Sequence, residues 1–96
     1  MKKYILDGHN PVPCEDFMVW ATMIGNGDAR RVAQDKVGDV TVSTVFLGSD
    51  YAFNGGPPML FETMIFGGEH DEFQDRCSTW EQAEAMHASA LAMVKK

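Results

Sequence analysis

Two runs of apolar and β-branched residues dominate the hydrophobic pattern of the chain. They read VTVSTVFL at 40–47 and MLFETMIF at 59–66, and this composition is typical of β-strands. Near one end of each run, consecutive residues are apolar, so both faces of the strand are apolar there. This predicts that the two runs are central strands of a sheet. A short run at 2–6 and a weaker one at 30–36 predict two more strands, with a hairpin turn at Gly38-Asp39.

A first helix is predicted to begin at Cys14 and to end at the Gly25-Asn26-Gly27 stop. Pro13 suits its first turn, because a helix leaves the N–H groups there unpaired. The residues that form one apolar stripe at helical spacing are Phe17, Trp20, Ala21 and Ile24.

A second helix is predicted near the end of the sequence. Ser78-Thr79-Trp80-Glu81 matches a capping box, with Ser78 at the cap and Glu81 three residues later. The acidic segment 69–75 before it is predicted to be a loop, with a short strand running to Cys77. The apolar side of the helix consists of Trp80, Ala83, His87, Ala90, Leu91 and Val94.

The predicted order of elements is therefore β-α-β-β-β-(β)-α. Strands joined in this way favour an antiparallel meander, and both helices are expected on one face of it. The sequence thus predicts an α+β fold of two layers, formed as a single domain over residues 1–96.

Composition and charge narrow the classes of partner. The chain is 45% hydrophobic and 23% charged, as in globular proteins, and its net charge is −6. That charge disfavours nucleic-acid binding, which depends on Lys and Arg.

No run is long enough to span a membrane, and the apolar run at 4–6 is too short for a signal peptide. With only two cysteines, the sequence predicts reduced thiols and a cytoplasmic protein.

Short motifs along nearly the whole chain resemble a group of small proteins encoded by bacteriophages and prophages. The resemblance implies a protein that acts in the cytoplasm of a bacterial host, and it implies no particular activity. The motifs that carry it are Asp7-Gly8-His9, Pro11-Val12-Pro13-Cys14, Arg31-Val32-Ala33, Val37-Gly38-Asp39, Ser43-Thr44-Val45-Phe46-Leu47-Gly48, Gly56-Pro57-Pro58, Leu60-Phe61-Glu62-Thr63-Met64, Phe66-Gly67-Gly68 and Ser78-Thr79-Trp80-Glu81.

The connection at 48–58 between the two strongest strands is the first candidate binding element. A turn needs small and polar residues, and this one carries two aromatic residues as well. Exposed aromatic residues anchor interfaces. The alternative is a hairpin tip with no role beyond the turn. The residues expected to bind are Asp50, Tyr51, Phe53 and Asn54.

The acidic run after the last central strand is the second candidate. Its carboxylates resemble the charge of a phosphate backbone and would contact a basic groove on a host protein. The alternative is a solvated loop. The residues concerned are Glu69, Asp71 and Glu72.

Metal binding and catalysis have weaker signals. The histidines and cysteines lack the spacing of metal ligands, so no metal and no cofactor are expected. His9 and Cys14 flank one predicted turn, and a thiolate beside an imidazole is a nucleophile pattern.

These observations leave two hypotheses for the function. The first is a non-catalytic interaction protein that modulates a host factor or sequesters a small nucleotide signal. The alternative is a small hydrolase-like enzyme that uses the His9/Cys14 region. A homodimer or higher closed oligomer is also expected, because two short helices cannot cover all the apolar strand residues. Those residues are Val40, Val42, Phe46, Phe61 and Ile65.

Replacing Tyr51 and Phe53 together by Ala tests the binding role of the connection at 48–58. We expect partner binding to weaken by about 2 kcal/mol, the scale of an interface anchor. Folding stability should change little, because residues at a loop tip contribute little to a core. A lower melting temperature with unchanged binding would instead show that the two rings cover the sheet.

Overall fold

Side chains alternate between buried and partly exposed along the two central strands. An antiparallel sheet shows this alternation when one face is covered and the other meets water. On these two strands, the fully buried side chains are Val42, Thr44, Phe46, Phe61, Thr63 and Ile65. The computed structural model describes residues 2–50 and 55–95.

Two antiparallel sheets, of two and four strands, organise the described residues. In chain order the elements are β1 (Tyr4–Asp7), β2 (Asn10–Pro13), α1 (Phe17–Ile24), α2 (Gly27–Arg30), β3 (Arg31–Val37), β4 (Val40–Phe46), β5 (Phe61–Phe66), β6 (Gln74–Cys77) and α3 (Trp80–Lys95). The small sheet pairs β1 with β2, and the large one has the order β3-β4-β5-β6. The predicted α+β class is confirmed, and β4 and β5 are central as expected.

Helix α3 covers one face of the large sheet and contacts all four of its strands. Its buried side chains are Ala83, His87 and Ala90, which lie on the predicted apolar side. Met23 of α1 packs against the same core cluster as Ala83. Helix α1 thus reaches the same core as α3, and its main strand contact is with β1 of the small sheet.

The apolar strand residues that were expected to be uncovered are buried within the single chain. Val42, Phe46, Phe61 and Ile65 are each 0% exposed, and Val40 is partly buried. The expectation that the helices are too short was wrong, because α3 is 16 residues long and follows the whole sheet. A homodimer or higher closed oligomer remains a prediction, and these five residues no longer support it.

The first helix begins three residues later than predicted. Asp16 is the N-cap, and its carboxylate accepts hydrogen bonds from the backbone N–H groups of Met18 and Val19. Cys14 therefore lies outside the helix. Pro13 belongs to β2, a strand that the sequence did not predict.

The cap of α3 is also displaced by one residue from the prediction. The hydroxyl of Thr79 accepts from the N–H of Gln82 at 3.1 Å, and the Gln82 side chain accepts in return from Thr79 N–H at 3.2 Å. The capping box is thus formed by Thr79 and Gln82, because glutamine serves at the third position as well as glutamate.

A chain of polar side chains crosses the buried interface between α3 and the sheet. Thr63 on β5 bonds to Thr44 on β4 at 2.5 Å, and Thr44 bonds to Nδ1 of His87 at 2.7 Å. The other ring nitrogen of His87 lies 2.8 Å from a carboxylate oxygen of Asp35 on β3. With Nε2–H donating to Asp35, Nδ1 accepts from Thr44, whose oxygen accepts from Thr63. His87 is thus a hydrogen-bonded core histidine.

Replacing Thr44 by Val tests this chain. Valine has the same shape, but it leaves His87 Nδ1 and the Thr63 hydroxyl without partners, so we expect a loss of about 1–3 kcal/mol of unfolding free energy. Thr41→Val is the matched control, because Thr41 is on β4 but on the open face, and we expect a change within about 0.5 kcal/mol. Urea denaturation measures both. Equal stability of the two variants would contradict a role for the chain.

Candidate functional site

The first turn of α1 carries an apolar patch at the surface. Phe17, Met18 and Val19 are 60%, 70% and 48% exposed. Three neighbouring residues span about 200° around a helix, so they cannot all face inward. We call these three residues the α1 patch. The run Phe17-Met18-Val19 was visible in the sequence, but the predicted stripe placed Phe17 on the inner side.

Trp20 attaches the α1 patch to the connection at 48–58. Its indole N–H donates to the carbonyl of Gly48 at 2.8 Å, and its ring centroid lies 5.9 Å from that of Phe17. Gly48 has φ +79°, and a Cβ atom there would lie 2.2 Å from the Ile24 side chain. Only glycine permits this approach, so α1 and the start of the connection are held together.

Asp50 closes the base of the same connection. Its carboxylate accepts from the N–H of Met59 at 3.1 Å, and its own N–H donates to the carbonyl of Lys2 at 3.2 Å. The side chain therefore supports the loop, and its predicted role in binding stays a prediction. The other three expected binding residues, Tyr51, Phe53 and Asn54, lie outside the described residues.

The acidic run forms a hydrogen-bonded turn after β5. Asp71 accepts from the N–H of Gly67 at 2.6 Å, and Glu72 adopts a φ of 71° while its N–H donates to the carbonyl of Ile65. Glu69, Asp71 and Glu72 are all exposed. One of the three carboxylates is thus used within the turn, and their contact with a basic groove stays a prediction.

The structure does not bring His9 and Cys14 together. His9 stacks on Trp80, with ring centroids 3.8 Å apart, whereas the Cys14 thiol contacts the backbone carbonyl of Asp16. Strand β2 lies between them, and a rise of about 3.3 Å per residue separates their Cα atoms by roughly 16 Å. A thiolate and its base must be in hydrogen-bond reach, so the predicted nucleophile pair is not formed.

A cavity with a volume of about 490 Å³ lies between β6 and α3. Arg76 is the one cationic side chain among its described lining residues, and it pairs with Glu62 at 2.9 Å. Within residues 2–50 and 55–95, no group of three or more His, Cys, Asp and Glu side chains is arranged to hold a metal ion.

Comparison with known proteins gives no relative. No family model matches the chain, and no curated protein or solved structure is significantly similar to it. In the part of the chain that the structure describes, no helix has the length and apolar character needed to cross a bilayer.

Cys14 and Cys77 are free thiols in the structure. Burial, and then the nearby Asp75 carboxylate, raise the pKa of the Cys77 thiol, so less of it is thiolate at neutral pH. We expect iodoacetamide to alkylate Cys77 more slowly in the folded protein than in the urea-unfolded chain at the same pH. Mass spectrometry of the peptides measures both rates.

Without reductant, both cysteines should be alkylated after unfolding, and protection of both would contradict free thiols.

Proposed function

We propose that this chain is a non-catalytic interaction protein that binds a protein of a bacterial host. The α1 patch is the observation that carries the proposal. Phe17 and Met18 are more than half exposed, and neighbouring large apolar side chains at a surface mark sites where proteins meet. The resemblance to phage-encoded proteins supports a bacterial host as the source of the partner.

The surroundings of the α1 patch favour a particular kind of partner surface. Glu15 and Asp16 precede it and are exposed, and the whole chain has a net charge of −6. The Asp16 carboxylate caps the helix and Lys3 lies over the ring of Trp20 beside the patch, so the Glu15 carboxylate and the net charge are what favour an apolar groove with Lys or Arg at its rim. The partner surface that we propose is of this type.

The cavity between β6 and α3 is poorly suited to hold a small nucleotide. Phosphate groups are held by several cationic side chains or by backbone N–H groups at a loop. This cavity offers only Arg76 among its described lining residues, and Glu62 already pairs with it. A cavity of about 300 Å³ near the start of α1 has two lysines, Lys2 and Lys3, beside the carboxylate of Glu15. We prefer a protein partner because it also explains the exposed apolar side chains of the α1 patch.

The enzyme alternative also lacks support from the geometry. Its two residues, His9 and Cys14, lie at opposite ends of β2. His9 stacks on Trp80, and the Cys14 thiol contacts the backbone carbonyl of Asp16. We therefore prefer binding to catalysis.

Replacing Phe17 and Met18 together by Ser tests the proposal. The variant removes the apolar contact area, so we expect at least tenfold less of the partner on the immobilised protein, the effect of losing interface anchors of about 2 kcal/mol. The measurement is quantitative mass spectrometry of proteins retained from bacterial lysate. The melting temperature should be kept, because both side chains are exposed.

Phe66→Ser is the matched control for this experiment. Phe66 is also a large exposed apolar residue, at 48%, but it belongs to β5 on the open face of the sheet. We expect this variant to retain the same protein as the unmodified chain. The proposal fails if no protein is enriched on the unmodified chain, or if the double variant retains the same proteins in the same amounts.

A further inference from the structure

A second cavity lies away from the α1 patch, between the β1–β2 turn and the start of α3. Its volume is about 250 Å³, which is enough for the side chain of one amino acid. His9 and Asp7 line it from the turn, and Trp80 and Glu81 line it from the helix. Neither the fold nor the proposed function uses this cavity.

Two stacked rings form one wall of the cavity. The planes of His9 and Trp80 differ by 2°, with their centroids 3.8 Å apart. Trp80 meets the ring of Phe61 edge to face at 6.2 Å, and Phe61 is 0% exposed. The stack is therefore fixed to the core. Aromatic faces carry negative potential and attract planar cations.

Two carboxylates, those of Asp7 and Glu81, add negative charge beside the stack. Both are exposed, and neither carboxylate has a hydrogen-bond or ion-pair partner within residues 2–50 and 55–95. The described residues that line the cavity include no lysine or arginine. The negative charge of the cavity is thus not neutralised by a lysine or arginine among its described lining residues.

The indole N–H of Trp80 is a further unsatisfied group. Nε1 is buried and has no hydrogen-bond partner among the described residues. A buried donor without an acceptor costs free energy. The unsatisfied N–H makes the indole signal of Trp80 a local reporter of any change at this wall of the cavity.

We propose that this cavity binds the guanidinium group of an arginine in a partner protein. A guanidinium is planar and stacks on aromatic rings, and its N–H groups donate to carboxylates such as those of Asp7 and Glu81. The peptide that carries it also supplies carbonyl acceptors. A lysine ammonium matches the charge but does not stack in the same way.

The inference rests on the proposed function only in taking a protein as the source of the guanidinium. Its test uses short peptides and needs no partner protein. Acetyl-Gly-Arg-Gly-amide is titrated into the isotopically labelled chain at millimolar concentrations, and the indole N–H signal of Trp80 is followed by NMR. Two control peptides carry citrulline or lysine in place of the arginine. Citrulline has the planar shape of arginine without its charge, and lysine has the positive charge without a planar group.

We expect the arginine peptide to shift the Trp80 signal in a saturable way, and both other peptides to bind at least tenfold more weakly. Asp7→Asn combined with Glu81→Gln should weaken arginine binding about tenfold or more, because charge-assisted hydrogen bonds are lost. His9→Ala should also weaken it. Glu84→Gln is the matched control, an exposed carboxylate of α3 outside the cavity, and should bind as the unmodified chain does.

The Phe17→Ser, Met18→Ser variant should bind the arginine peptide normally, which separates this site from the α1 patch. The same spectra report whether each variant is folded. The proposal is overturned if the arginine peptide leaves the Trp80 signal unchanged, if the citrulline peptide shifts it equally, or if the Asp7→Asn, Glu81→Gln variant and His9→Ala both bind with unchanged affinity.

Discussion

The hydrogen-bond chain from Thr63 through Thr44 and His87 to Asp35 fixes how the helix layer sits on the sheet. The fully buried apolar residues of α3 are Ala83 and Ala90, which are small and permit close approach, and larger side chains such as Trp80 and Leu91 pack beside them. Apolar contact is not directional and would tolerate a shift of the helix by one turn. The bonds of His87 would not survive such a shift, because Asp35 and Thr44 lie on two different strands.

The large sheet and α3 were predictable because each has a strong local pattern. Strands β4 and β5 combine β-branched and aromatic residues, and α3 repeats apolar residues at helical spacing over four turns. Strand β2 was missed because Pro11 suggested a turn and Pro13 suggested the start of a helix. Proline has no backbone N–H to donate and is therefore tolerated on the edge strands of a sheet. In a two-stranded sheet both strands are edges, and Pro11 and Pro13 pair there with Leu6 and Tyr4.

The candidate sites depend on contacts that no local pattern reports. The stripe on α1 suggested that Phe17 faces inward, but the cap at Asp16 and the bond of Trp20 to Gly48 turn it outward. His9 was considered as a catalytic base because it lies close to Cys14 in the sequence. In the structure its ring stacks instead on Trp80, which is far from it along the chain. Spacing in a sequence identifies faces of helices and strands, and it does not identify which turn meets which helix.

The position of α3 in chain order has a consequence for biosynthesis. It follows every strand of the large sheet, so the ribosome completes the sheet before it makes the helix that covers it. Until α3 leaves the exit tunnel, the face that carries Phe46, Phe61 and Ile65 lacks the helix that contacts all four of its strands. A nascent chain with such a face is a substrate for chaperones and is prone to aggregate. The yield of this protein in a cell should therefore depend on how quickly its last helix docks.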